Sequence, residues 1–135
     1  MGLTVSAGEC YLLDCGNSPK HYFFVISEPT KYPDRPLVVV PISSVSPDKT
    51  IDLSCILSSG EHQCCTKESF ASYSRAILIS IAALEQMINR KTATPKPPLA
   101  SIVLLNKLRA GAEISEDLRD KIHDELYMQG ILPPL

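Results

Sequence analysis

The chain has 135 residues, 44% of them hydrophobic and 21% charged, with a formal net charge of -2. This is the size and balance of one globular domain with its own core, and it exerts no global pull on nucleic acid, so any RNA contact needs a local basic patch. No apolar run approaches the ~20 residues that span a bilayer, and Met1 to Val5 carries neither a basic region nor an apolar stretch. No membrane association and no secretion leader are therefore expected, and the expected location is cytoplasmic.

Taken in chain order, the first two thirds read as strands. Glu9 to Cys15 is a short apolar run closed by Gly16-Asn17-Ser18-Pro19, a turn signal. His21 to Ser27 (HYFFVIS) is aromatic and β-branched, which suits a pleated strand. Glu28 to Pro36 holds Pro29, Pro33 and Pro36 and must be a loop. Leu37 to Ile42 (LVVVPI) is continuously apolar, as in a strand buried on both faces, and Pro41 marks a sheet edge or bulge near its end. After the turn at Ser46-Pro47-Asp48-Lys49, Ile51, Leu53, Cys55 and Leu57 alternate with wetter neighbours, a period of two that predicts a strand to Ser58. His62 to Thr66 and Ser74 to Ile79 are two further short expected strands.

The last third changes period. Ala82, Leu84, Met87 and Ile88 place a helix over Ile81 to Arg90. The proline-rich segment Thr92 to Pro98 reads as a stiff connector. Ile102, Leu105 and Leu108 share one helix face, with Gly111 as its stop. Ser115 is the expected N-cap of a last helix, with Glu116 and Asp117 in its first turn and Leu118, Ile122 and Leu126 along one stripe, and Gly130 ends it. His123 falls on the polar side of that helix and is assigned no role. The strand and helix parts are too small to stand alone, so one domain is expected: an α+β, strand-rich barrel over about 6–80, then helices over about 81–130.

The five cysteines, Cys10, Cys15, Cys55, Cys64 and Cys65, are odd in number. Without a secretion signal they do not read as a disulfide framework. Cys10 and Cys15 are too widely spaced for a zinc knuckle, and adjacent Cys64 and Cys65 would point to opposite faces of a strand, so neither metal nor cofactor is expected. On this reading reductant and chelator leave the fold unchanged.

Several segments resemble the MazF/PemK family of RNA-cleaving toxins. Gly8-Glu9-Cys10-Tyr11-Leu12-Leu13-Asp14 is similar to the family's opening strand. His21 to Ser27 occupies the place of its second strand, with His21-Tyr22 where an Arg-Pro pair is usual. Val39-Val40-Pro41-Ile42-Ser43-Ser44 is similar to its third strand, a Val-Pro followed by hydroxyl residues, and Glu68 to Ala76 lies where the family has a polar stretch closing on a basic residue. The resemblance covers about residues 6–80. It implies an SH3-like barrel, a homodimer, an antitoxin protein as partner and metal-independent cleavage of RNA through the ribose 2′-hydroxyl.

That chemistry needs a base for the 2′-hydroxyl proton, groups that stabilise the charged phosphorane, and an acid for the leaving 5′-oxygen. His21 and His62 titrate near neutrality and can serve as base or acid. Arg75 can hold phosphate oxygens, and Ser43 and Ser44 can orient them. By position the family's catalytic arginine falls on His21 and its hydroxyl residue on Ser43 or Ser44. Lys67, Ser69 and Tyr73 complete the expected site as substrate contacts. Histidine in place of arginine keeps an acid/base but loses a permanent charge, which favours a second reading: a non-catalytic barrel that binds a protein or nucleic-acid partner, in phage defence or a mobile element. A third is a protein-interaction domain acting through the C-terminal helices. A Cys/His hydrolase built on His62 with Cys64 or Cys65 would align its groups poorly on one strand.

Overall fold

The computed structural model describes residues 2–16 and 20–135. Asn17, Ser18 and Pro19 of the expected turn after the first strand lie outside the described residues.

Among the described residues seven strands form one antiparallel sheet: β1 (Cys10–Leu13), β2 (His21–Val25), β3 (Leu37–Ser44), β4 (Ile56–Leu57), β5 (Ser69–Ala71), β6 (Ile77–Ile79) and β7 (Ala93–Pro95). Their order is β4-β5-β3-β2-β1-β7, with β6 also on β3. No pairing joins β4 to β7 among the described residues, so backbone bonds leave the sheet open. The described residues also form three α-helices, α1 (Ile81–Asn89), α2 (Ile102–Ile114) and α3 (Asp120–Met128). No described helix is long and apolar enough to cross a membrane.

The unbroken apolar run of β3 is explained by its position. Successive side chains of a strand point to opposite faces, and here both faces are covered. Phe24, Ile26, Val38, Val40 and Ile42 join Leu104, Leu108, Ile122 and Leu126 in a core under α2 and α3. Phe23, Val25, Leu37 and Val39 join Tyr11, Leu13 and Leu84 in a second core under α1. The apolar stripe Leu118, Ile122 and Leu126 is thus buried within the chain itself. Pro41 sits where β3 changes partner: Leu37 to Val39 pair with β6, Ile42 to Ser44 with β5. A residue without an N–H costs least at such a break, and the Pro41 carbonyl accepts from the Ser72 N–H at 2.9 Å.

Several elements differ from the sequence expectation, each for a local reason. The strand expected over Ile51 to Ser58 is reduced to β4, because the Asp52 carboxylate accepts from the Ser54 N–H (2.9 Å) and the Ser115 hydroxyl (2.6 Å) and curls the chain. Turn bonds replace the strand expected at His62 to Thr66: Cys65 N–H to the His62 carbonyl at 2.9 Å and Gly60 N–H to the Cys65 carbonyl at 2.7 Å. Ser74 and Arg75 belong to a single 3₁₀ turn, Tyr73–Arg75, and strand begins at Ile77. The proline connector supplies an edge strand, β7, paired to β1. Gly111 does not stop α2, which runs on to Ile114. Ser80 and Ser101 cap α1 and α2 by accepting from Ala83 and Leu104 N–H at 3.0 Å, whereas α3 starts at Asp120 rather than at Ser115. His123 is buried, not on a wet face. Gly130 ends α3 with φ +74°.

Candidate functional site

The start of β2, the end of β3 and the start of β5 meet at one end of the sheet. Register puts Tyr22 opposite Ile42 and Ser44 opposite Ser69, so His21, Ser43, Ser44 and Ser69 are neighbours by construction. They line a cleft of about 240 Å³ together with Lys20, Tyr22, Lys49, Cys64 and Thr66. Among the described residues no carboxylate lines it, which gives a chain of net charge -2 a locally basic surface. Lys49 Nζ lies 3.4 Å from the Ser44 carbonyl, and the Ser69 hydroxyl donates to the Lys67 carbonyl at 2.9 Å.

His21 is half-buried. Burial, and then the charge of Arg75, push its pKa below the usual imidazole value, while a hydrogen bond to the Ile42 backbone pulls the other way and Lys49 adds to the lowering. The lowering favours the neutral ring, the state a general base requires. Arg75 is exposed and joins no salt bridge among the described residues. It acts on the cleft through its charge on His21.

The other expected residues are placed differently. His62 lies outside this cleft, 6% exposed. It lines a neighbouring cavity of about 130 Å³ with Tyr22, Gln63, Cys64, Lys96 and Pro97, and Tyr22 and Cys64 form the shared wall. Tyr73 is fully buried, its hydroxyl donating to the Leu108 carbonyl at 2.6 Å, so it packs the core rather than touching substrate. The Lys67 side chain is exposed, outside the cleft lining.

Sequence reasoning missed Lys20, Tyr22, Lys49 and Thr66 as cleft residues. Two of these carried a readable signal: Lys20 precedes His21, and Lys49 closes the turn that follows β3.

A second constellation lies behind the shared wall. Cys10 at the start of β1 and His62 and Cys64 in the turn segment bring one donor atom each to within 4.8 Å of one another. The expectation of no metal site rested on the Cys10–Cys15 spacing and on Cys64 and Cys65 pointing to opposite faces of a strand. The observed turn brings Cys64 to the same side as His62, and β1 brings Cys10 to both. Cys64 is half-buried, and its thiol is pushed up to about 12, first by the hydrogen bond with Cys10. Among the described residues, these three side chains are the set that could hold a metal ion.

No family model, curated protein or solved structure matches the chain.

Proposed function

We propose that the chain is a divergent relative of the MazF/PemK toxins that binds single-stranded RNA in the His21 cleft and cleaves it through the ribose 2′-hydroxyl. The observation that carries this reading is the convergence of His21, Ser43, Ser44 and Ser69 with Lys20 and Lys49 in one cleft, with no carboxylate in its lining among the described residues. In this reading neutral His21 takes the 2′-hydroxyl proton, Lys20 and Lys49 stabilise the phosphorane charge with the Arg75 charge adding at longer range, the serine hydroxyls orient the phosphate, and the leaving 5′-oxygen takes its proton from water. None of these steps draws on a metal in the cleft.

A long β3 that serves β6 and then β5 supports an SH3-like barrel as the finer description of the fold. The same reading includes a cytoplasmic homodimer and an antitoxin protein as partner. Leu99, Ile102 and Val103, exposed at the connector and the first turn of α2, offer apolar surface for such contacts.

Incubation of the full chain with a single-stranded RNA, without added metal, should yield fragments ending in a 2′,3′-cyclic phosphate. His21→Ala should slow this by about 10²–10⁴-fold, the usual loss for a general base. Intact RNA at high enzyme concentration would sink the catalytic reading. The second reading, a non-catalytic RNA-binding barrel, is favoured by His21-Tyr22 standing where the toxins have Arg-Pro. It predicts RNA retention by the same protein with no cleavage.

A further inference from the structure

We propose that Cys10, His62 and Cys64 form a zinc site that staples the turn segment between β4 and β5 to the start of β1. The donor set and its surroundings carry this site independently of the RNA reading.

Two thiolates and an imidazole are the ligand chemistry of Zn²⁺. In a tetrahedral site, with Zn–S about 2.3 Å and Zn–N about 2.0 Å, ligand atoms stand roughly 3.5–3.8 Å apart. The three donor atoms are already within 4.8 Å of one another, so small side-chain rotations close the set. On binding, two thiol protons leave to solvent and two Zn–S bonds form.

His62 is held as a zinc ligand is held. Its Nε2 lies 2.7 Å from the Pro98 carbonyl, which can only accept, so Nε2 carries the proton. Nδ1 is then the unprotonated nitrogen; it accepts from the Cys64 backbone N–H at 3.1 Å, a hydrogen bond that the metal replaces on binding. Donation of the second ring N–H to a backbone carbonyl is the outer-sphere arrangement that orients a metal-bound imidazole. Phe24 packs edge-on against the ring, with centroids 4.9 Å apart at 86°. The connector closes the same corner from outside, with Lys96 N–H donating to the Cys10 carbonyl at 2.8 Å. Cys64 is the half-exposed member, so the ion enters from the side of Tyr22 and a water takes the fourth position. Such a site departs from the sequence expectation that a chelator leaves the fold unchanged, and the two are separated by the test below.

The test uses the whole, fully reduced chain after chelator treatment, titrated with Co²⁺ as a spectroscopic stand-in. One equivalent should give the intense visible bands of tetrahedral cobalt with a thiolate charge-transfer band, and Zn²⁺ should displace it and raise Tm. Cys64→Ser should weaken binding by more than about 100-fold, beyond the loss typical of an outer-sphere partner, while Cys15→Ser, at an exposed cysteine elsewhere, should bind as the parent does. Absence of tetrahedral cobalt bands in the parent overturns the proposal without recourse to any variant. Retention of those bands in Cys64→Ser, with circular dichroism showing a folded chain, overturns it as well.

Discussion

The hydroxyl of Tyr73 occupies the space that a Cβ at position 111 would take, so Gly111 is the point at which α2 comes down onto the core. Such a Cβ would also stand 2.7 Å from Cys55 Cβ. Gly111→Ala should gain about 0.5–1 kcal/mol of helix propensity and lose about 1–3 kcal/mol to overpacking, a net destabilisation. Urea unfolding checks the sign. In a Tyr73→Phe background the cost should shrink without vanishing, because Cys55 stays in place while the clash with the hydroxyl goes. Equal cost in both backgrounds would mean that the hydroxyl is not what the methyl meets.

The Arg75 charge depresses the His21 pKa, after burial. NMR titration of His21 should therefore show a midpoint below the ordinary value of about 6.5, and Arg75→Gln should move it upward. Since the folded-state value is the lower one, the folded chain binds fewer protons than the unfolded chain between the two pKa values, and stability falls as pH drops through that window. If His21 acts as the base, the acid limb of the cleavage rate should move up in pH with the same variant.

Glu125 gives a sign of its own. It is buried, which raises its pKa, yet the paired hydrogen bonds from Arg35 (2.9 and 2.6 Å) and the one from Gln129 (2.8 Å) outweigh burial and hold it below the usual carboxylate range. Its contribution is fully present above the unfolded carboxylate value of about 4.3 and is lost as pH falls through the depressed folded value. Glu125→Gln should flatten the acid side of the stability curve, measured as urea midpoint against pH. An unchanged slope would show that the carboxylate's ionisation does not hold α3 to the loop before β3.

Lys20 and Lys49 line the cleft without carboxylate neighbours in its described lining. Replacing both with alanine should weaken binding of single-stranded RNA and reduce the slope of log affinity against log salt by about 0.7 for each phosphate that is no longer neutralised. Filter binding at several salt concentrations measures this. An unaltered slope would move the RNA path off this cleft.

How far the sequence could be read depended on how far apart along the chain the interacting residues lie. HYFFV and LVVVPI carry their own strand signal, and each lies on the strand it announced. The terminal helices were legible by period, though Gly111 was misread as a stop, because nothing in the sequence shows that Tyr73 lies beneath it. Ile51 to Ser58 has a clean alternation that Asp52 overrides by accepting from Ser115, distant in sequence, at the C-terminal end of α2. The cleft was legible in part: Ser43 and Ser44 follow a recognisable strand, whereas the placing of Ser69 needs β3–β5 register. Cys10 near His62 was out of reach altogether, since their proximity is created by the β1–β2–β3 order and the connector that crosses it.

The two-partner strand has a consequence during synthesis. Once β1, β2 and β3 have left the ribosome, and until β5 and β6 follow them, the second edge of β3 has neither strand to pair with. That edge presents Leu37 to Val40, an uncharged, β-branched run of the kind that recruits like strands from other chains. Only Pro41 interrupts it, at the one position where a foreign strand would need an N–H that the residue lacks. A slowed or truncated translation stopping before Ser69 should thus send this chain toward aggregation.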